Sequence, residues 1–386
     1  MIFHHQLKLS ACMSILLMMD VQVWGFGKRG NKENRMRLDK RYLQELVRND
    51  GLVGNHSCVA SFRSFQEYQC AFNGPNGVIG NNACNGGGNQ TCQNNGFLDG
   101  IRAIINEGSC NDGGNFTCIN NGYSGGDGII GEASCSRGGD ETCGYNGEEG
   151  NGTIGARSCN GSGEQSCYSN GWGGEGVIGN ESCNNAGSAC EGNGALGKGE
   201  IKDNSCNKGS TFNCRKNGFY GDGVIDSGSC NDGGERTCGY NGQEGVGRIG
   251  ERSCNDGGKS TCTDNAYLGK GAIGRGSCNH GESESCAYNG YEGSGRIGDG
   301  SCNAGEEYSC GENGYMGEAV IGNEACNNGG FEACSKLGVE GVGRIRDSSC
   351  SNIGFGSCSS IGKNGGKGII SLGSCNFGKD YLCSSS

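Results

Sequence analysis

The phase of the cysteines limits this chain more than any other feature. From Cys84 onward they come in pairs, usually eight residues apart, and the pairs recur about every 24 residues. Cys206 with Cys214, Cys230 with Cys238, Cys254 with Cys262, Cys278 with Cys286, Cys302 with Cys310, Cys326 with Cys334 and Cys350 with Cys358 keep that period without slippage. A fixed period of roughly 20–50 residues marks a repeat architecture, in which each unit can bury its inner face only against its neighbours.

Of the 29 cysteines, Cys12 lies in an N-terminal stretch with the features of an export signal. The other 28 make 14 pairs. The remaining ones are Cys58 with Cys70, Cys84 with Cys92, Cys110 with Cys118, Cys135 with Cys143, Cys159 with Cys167, Cys183 with Cys190 and Cys375 with Cys383. An even number at regular spacing reads as a disulfide framework formed in an oxidising compartment. Structural zinc wants C-x-x-C spacing or mixed Cys/His ligands. Here seven residues usually separate paired cysteines, and His56 and His280 are the only histidines beyond the leader. No metal and no cofactor is therefore expected. The gap within a pair shortens to seven between Cys183 and Cys190 and grows to twelve between Cys58 and Cys70. Such irregularity suits pairs that each close their own loop, although spacing leaves a bridge between coils open.

The first 25 residues carry Lys8, an apolar run from Leu9 to Met19, and Val23-Trp24-Gly25, which fits a signal peptide cleaved after Gly25. No later stretch approaches the ~18 apolar residues that span a bilayer. The expected product is secreted, without a transmembrane segment. Six N-x-S/T sequons, at Asn55, Asn89, Asn115, Asn151, Asn160 and Asn180, agree with export. Asn89 and Asn115 lie between paired cysteines and are the favoured glycan sites.

Aligned on the first cysteine of each pair, the units share columns. An Ile stands five residues before it, from Ile79 to Ile370; Ser or Ala precedes it; Asn usually follows it. After the second cysteine an Asn recurs from Asn95 to Asn313, often followed by Gly. One Ile per unit gives a narrow apolar ladder, small residues fit a tight interior, and Asn-Gly marks sharp corners. A stacked Asn column can also form an amide ladder. The 82 glycines argue against helical repeats. The expected fold is all-β: a right-handed parallel β-helix (β-solenoid) of about 14 coils, ~24 residues per coil, stapled by disulfides.

The ends differ from the middle. Residues 34–48 are charged and free of glycine, with Leu38, Tyr42, Leu46 and Val47 near helical spacing. Residues 26–50 thus read as a charged linker with a short capping helix, or as a propeptide cut after Lys40-Arg41; residues 51–386 form the repeat domain. The first 50 residues hold nine Lys/Arg and five Asp/Glu, so the formal −11 of the chain leaves −15 on residues 51–386. So acidic a domain is a poor ligand for nucleic acid.

No column pairs carboxylates with Lys or Arg over successive coils, and oxidised cysteines are not nucleophiles, so no catalytic residues are assigned. Asp112, Asp232 and Asp256 read as solvated turn residues, and Gly125-Gly126-Asp127-Gly128 is a lone approximation to a calcium nonapeptide. Thr91, Thr117, Thr142, Thr237 and Thr261 precede second cysteines but form no T-x-T array of the kind an ice-binding face needs. Aromatics do recur along one edge, at Phe97, Tyr123, Trp172, Phe219, Tyr267, Tyr291 and Tyr315. They could stack on sugars, or pack on one another.

The unit Ile-Gly-x-x-Ser-Cys-Asn…Thr/Ser-Cys resembles the cysteine-rich tandem repeats of secreted or cell-surface proteins in diatoms and related algae, over about residues 54–383. That resemblance implies a shape similar to pectin-lyase-like right-handed β-helices and an extracellular structural or adhesive role. It transfers no catalytic residue. The expected function is a non-catalytic extracellular scaffold or adhesion protein, with extracellular glycans or cell-wall and matrix proteins as partners. A carbohydrate-binding or carbohydrate-active β-helix is the alternative.

Overall fold

A computed structural model describes residues 51–58, 70–97, 101–381 and 383, apart from 210–212, 215, 216, 219, 236, 239, 240, 260, 263, 264, 266, 267, 282, 284, 285, 287, 288 and 309. The chain divides into two compact units, Met1–Leu43 and Gln44–Ser386, and the repeats belong to the second. The expected signal peptide and capping helix fall outside the described residues.

The repeats form a parallel β-solenoid. Fourteen short strands, from β1 (Leu52–Val53) and β2 (Gly77–Ile79) to β13 (Val342–Ile345) and β14 (Lys367–Ile370), pair in chain order in one sheet. No helix occurs among the described residues. Register is constant: Ile249 lies beside Ile273, Ile273 beside Ile297, and Ile321 beside Ile345. With strand spacing near 4.8 Å, fourteen coils stack to roughly 60 Å. The Ile column from Ile79 to Ile345 is at most 2% exposed and forms the apolar spine.

Each coil has only one strand of two to four residues. The remainder is not a set of extended sides joined by corners. It is backbone that switches hand. Cys110, Asp112, Phe116, Cys118 and Asn120 all have φ between 52° and 59°, and the residues between them do not. All 28 cysteines of the solenoid sit in this left-handed region, where a non-glycine residue costs about 1–2 kcal/mol. The alternation directs N–H groups along the stack. Cys110 and Cys118 donate to Ser134 and Thr142 of the following coil, while Asp112 and Asn120 donate to Asn85 and Gln93 of the preceding one.

Some of the intervening amides stay on the backbone, as Gly114 N–H does with Gly138 O at 3.0 Å; side-chain columns supply partners to others. Ser134 N–H donates to Ser109 Oγ at 3.2 Å, Ser158 N–H to Ser134 Oγ at 3.1 Å, and Ser277 N–H to Ser253 Oγ at 3.2 Å. Each of these hydroxyls donates in turn to a carbonyl of the next coil, as Ser253 does to Gly274 at 2.7 Å. One position beyond the cysteine, Asn231 N–H donates to Asn255 Oδ1, and Asn255 N–H to Asn279 Oδ1. Their Nδ2 groups reach back: Asn255 to Gly228 O at 3.0 Å, Asn279 to Arg252 O at 3.1 Å. The Ser and Asn columns are thus hydrogen-bonding devices, not merely small residues. A buried amide left without a partner costs about 1–3 kcal/mol.

The cysteines join within their own coils. In the first half Cys58 bonds Cys70, Cys84 bonds Cys92, Cys110 bonds Cys118, Cys135 bonds Cys143, Cys159 bonds Cys167 and Cys183 bonds Cys190. In the strictly periodic half Cys206 bonds Cys214, Cys230 bonds Cys238, Cys254 bonds Cys262 and Cys278 bonds Cys286. Cys302 bonds Cys310, Cys326 bonds Cys334, Cys350 bonds Cys358 and Cys375 bonds Cys383. No bridge joins one coil to another among the described residues. Cα separations run from 5.7 Å to 6.3 Å, inside the usual disulfide range. Except for Cys58, Cys375 and Cys383 these cysteines are buried. Neighbouring bridges touch: the Sγ atoms of Cys159, Cys167 and Cys183 lie within 4.8 Å of one another. A column of sulfur therefore runs beside the column of Ile.

A third interior column is the amide ladder. Asn95 Nδ2 donates to Asn73 Oδ1 at 2.7 Å, and Asn121, Asn146, Asn170 and Asn193 each donate to the Asn before them. The second half runs the other way. Asn217 donates to Asn241, Asn241 to Asn265, Asn265 to Asn289 and Asn289 to Asn313. At the reversal, Asn193 Oδ1 and Asn217 Oδ1 both lack a donor among the described residues, and at the far end Asn313 Nδ2 lacks an acceptor among them. Leu337 and Ile361 continue that column as buried apolar residues.

Candidate ligand-binding ledge

Successive coils carry Tyr123, Glu148 and Trp172 at one edge. The ladder fixes their order: Glu149 N–H donates to Tyr123 O at 3.1 Å, and Gly173 N–H to Glu148 O at 2.9 Å. The carboxylate thus sits in the column that elsewhere holds aromatics. Tyr123 is half-buried and Trp172 is exposed. Beside them Tyr145 and Tyr168 meet edge to face, ring centroids 4.9 Å apart.

Electrostatically this edge is unusual. Burial holds the Glu148 carboxyl above the ordinary range, and the charge of Glu149 adds to the effect against a hydrogen bond from Asn120. Its Oε2 is shielded from solvent and has no hydrogen-bond partner among the described residues. Burial also pushes the Tyr168 phenol up, with Tyr145, Glu141 and Glu148 contributing. A side-chain rotation that turns Oε2 outward would let this carboxyl, between an aromatic above and one below, bond a ligand hydroxyl.

The expected aromatic edge is only partly one surface. Phe97 stacks on Tyr123 at 5.8 Å and Tyr291 on Tyr315 at 4.7 Å, so those faces are occupied by neighbouring rings. Phe219 and Tyr267 lie outside the described residues. The sequence reading missed a second column, Tyr308–Phe331–Phe355–Tyr381, with centroids 5.2–5.7 Å apart. It borders a groove of about 510 Å³ that also holds Glu306 and Asp380. Both carboxylates are committed, Glu306 to Phe331 N–H and Asp380 to Phe355 N–H. The signal for this column was an aromatic two or three residues before the second cysteine, a position that is polar in most other coils.

Other candidate groups acquire definite roles. Thr91, Thr117, Thr142, Thr237 and Thr261 are buried, and each hydroxyl donates to a glycine carbonyl three residues back. They therefore cannot form an outer threonine face. Asp112, Asp232 and Asp256 are left-handed turn residues. Asp226 is the best-held acid: burial opposes its charge, but hydrogen bonds from Lys202 at 2.6 Å and Arg248 at 3.1 Å outweigh that and hold its carboxyl below the usual range. Among the sequons, Asn89 is exposed, whereas Asn115 is half-buried with Nδ2 3.4 Å from Asp140. At Asn160 the Nδ2 already donates to Ala133 O at 2.8 Å. Close sulfur triplets supply no thiolate for a metal, because every member is bridged.

No family model, no curated protein and no solved structure matches the chain.

Proposed function

We propose that the protein is an extracellular scaffold that works by shape and adhesion and carries out no chemistry. The observation that supports this most is the bridge in every coil, buried beside the Ile spine from Cys84 to Cys358. Such a framework forms and persists in secreted proteins and is rare in reducing compartments. The uniformly short coils fit a carrier of repeated surface features, and the resemblance to algal surface repeats points the same way. Fractionation of cells making the full chain tests this reading. Protein in the medium or cell wall with no free thiols supports it; cytosolic protein with reduced cysteines refutes it.

The Tyr123–Glu148–Trp172 ledge favours a glycan as the adhesive partner, since a sugar ring can stack on an open aromatic face while its hydroxyls bond a carboxylate. A glycan array with wild type, Trp172→Ala and Glu148→Gln examines that. Retention that neither substitution lowers would remove the ledge from consideration.

A further inference from the structure

Among the described residues both ends of the sheet are open. In the stack every strand from β2 to β13 has a neighbour on each side, but β1 and β14 have one each. Val53, at the place of the buried Ile column, is 42% exposed at one end, and Leu372 is 66% and Phe377 83% exposed at the other; Leu52 and Ile369 add apolar surface on the outward face of the sheet, which is exposed in mid-stack as well. At the β14 end a groove of about 390 Å³ opens onto Ile361, Ile370, Ser374, Cys375 and Cys383, the top of the same columns that the next coil covers elsewhere.

The hydrogen-bonding row is open as well. Arg346 N–H donates to Ile370 O at 3.1 Å, and Cys350 N–H to Ser374 O at 3.0 Å. One coil later the equivalent donors are Ser371 N–H and Cys375 N–H, which point out of the last coil. At the other end Gly54 holds the place of Arg346, so Val53 O is the equivalent of Ile370 O. Natural sheet edges are usually blunted by proline, inward charge or a bulge. The described edge strands hold no proline; β1 is only two residues long and β14 starts with Lys367, devices that weaken an edge without closing it.

We propose that the solenoid self-associates head to tail, the β14 end of one copy receiving β1 of a second copy as its next coil. The contact continues an interface that the molecule already makes thirteen times in constant register. In that register Ile369 lies beside Leu52 of the second copy, Ile370 beside Val53, and Ser371 N–H donates to Val53 O. The two faces differ, so the contact is heterologous and leaves a free end of each kind; chains of copies result rather than closed dimers. This goes beyond the scaffold reading, and it stands or falls independently of any glycan.

Sedimentation of the full chain over a wide concentration range, with electron microscopy of the larger species, tests it. Two variants block one face each. Ser371→Pro removes the outward N–H while keeping the Ser371 carbonyl that accepts from Ser349 at 2.7 Å, and Val53→Lys puts a charge into the interior Ile column at the opposite edge. Wild type should form an open series of oligomers. Each variant alone should be monomeric, with association weakened at least about 100-fold. Mixed, the two should give a 1:1 heterodimer that grows no further, because each retains the face the other lacks. Unchanged circular dichroism and the absence of free thiols establish that the variants are folded. A wild type that stays monomeric throughout overturns the proposal. So does Val53→Lys dimerising by itself, which would mean a symmetric contact between two β14 ends.

Discussion

Asn193 and Asn265 occupy the same column of the repeat, yet replacing them should have unequal consequences. Asn265 lies inside a continuous run, accepting from Asn241 and donating to Asn289. Asn265→Leu, with the shape Leu337 already shows to be accommodated in that column, strands Asn241 Nδ2 and Asn289 Oδ1. Two buried polar groups without partners cost about 2–6 kcal/mol. Asn193 stands at the reversal. Asn193→Leu strands Asn170 Oδ1, but it also removes Asn193 Oδ1, which has no donor. The number of orphaned side-chain groups is unchanged, and the cost falls to about 1–3 kcal/mol for the two lost bonds, to Asn170 and, at 3.1 Å, to Val177 O. Any gain from burying Leu applies to both and cancels in the comparison. Guanidinium unfolding with disulfides intact, followed by circular dichroism, gives the two midpoints. Amide exchange adds a local reading, since a repeat stack can open in part. Equal destabilisation by the two substitutions would refute the reversal and require a ladder of one polarity.

Three further outcomes follow from the same geometry. Asp226→Asn removes the charge that Lys202 and Arg248 hold. With Lys202 and Arg248 both partly exposed, it should lower stability at neutral pH by about 0.5–2 kcal/mol. The wild-type carboxyl titrates below its ordinary value, so its contribution is full above the unfolded carboxylate range and fades as pH falls through the folded value. A pH series of melting temperatures on both proteins should therefore converge in acid; a gap that persists there contradicts the assignment. Glu148→Gln should act in the opposite sense. With its folded value raised, wild-type Glu148 weakens the fold as pH rises past the ordinary carboxylate range, so the variant should melt higher at neutral pH and equally in acid; a lower neutral melting temperature would count against it. Native reduction should begin at Cys375–Cys383, the bridge whose sulfurs are least covered, while the interior bridges resist until the stack unfolds. Timed alkylation and mass spectrometry would detect this, and simultaneous loss of all bridges would contradict it.

Much of this architecture was legible in the residues. The Ile column and the within-coil cysteine gap both reflect a period that strand pairing keeps in register, so Ile249 beside Ile273 follows from counting. The roles of Ser253 and Asn255 were not legible. Their hydrogen bonds depend on a backbone that alternates hand, and composition carries no mark of a cysteine at φ 60°. Ladder polarity is hidden for another reason: an Asn reads the same whichever way its amide points. The ledge was half visible. Tyr123 and Trp172 stood out by period, but Glu148 broke the aromatic pattern and reads by itself as a solvated acid. Its importance came from burial and from the unused oxygen, neither of which a sequence displays.

The account depends on bridges that close within single coils and stack into one sulfur column. Disulfide mapping of the native protein by mass spectrometry tests that most directly. It should return peptides linked as Cys84–Cys92, Cys110–Cys118 and onward to Cys350–Cys358, with no bond joining different coils. Free thiols along the repeats, or bonds between coils, would contradict it.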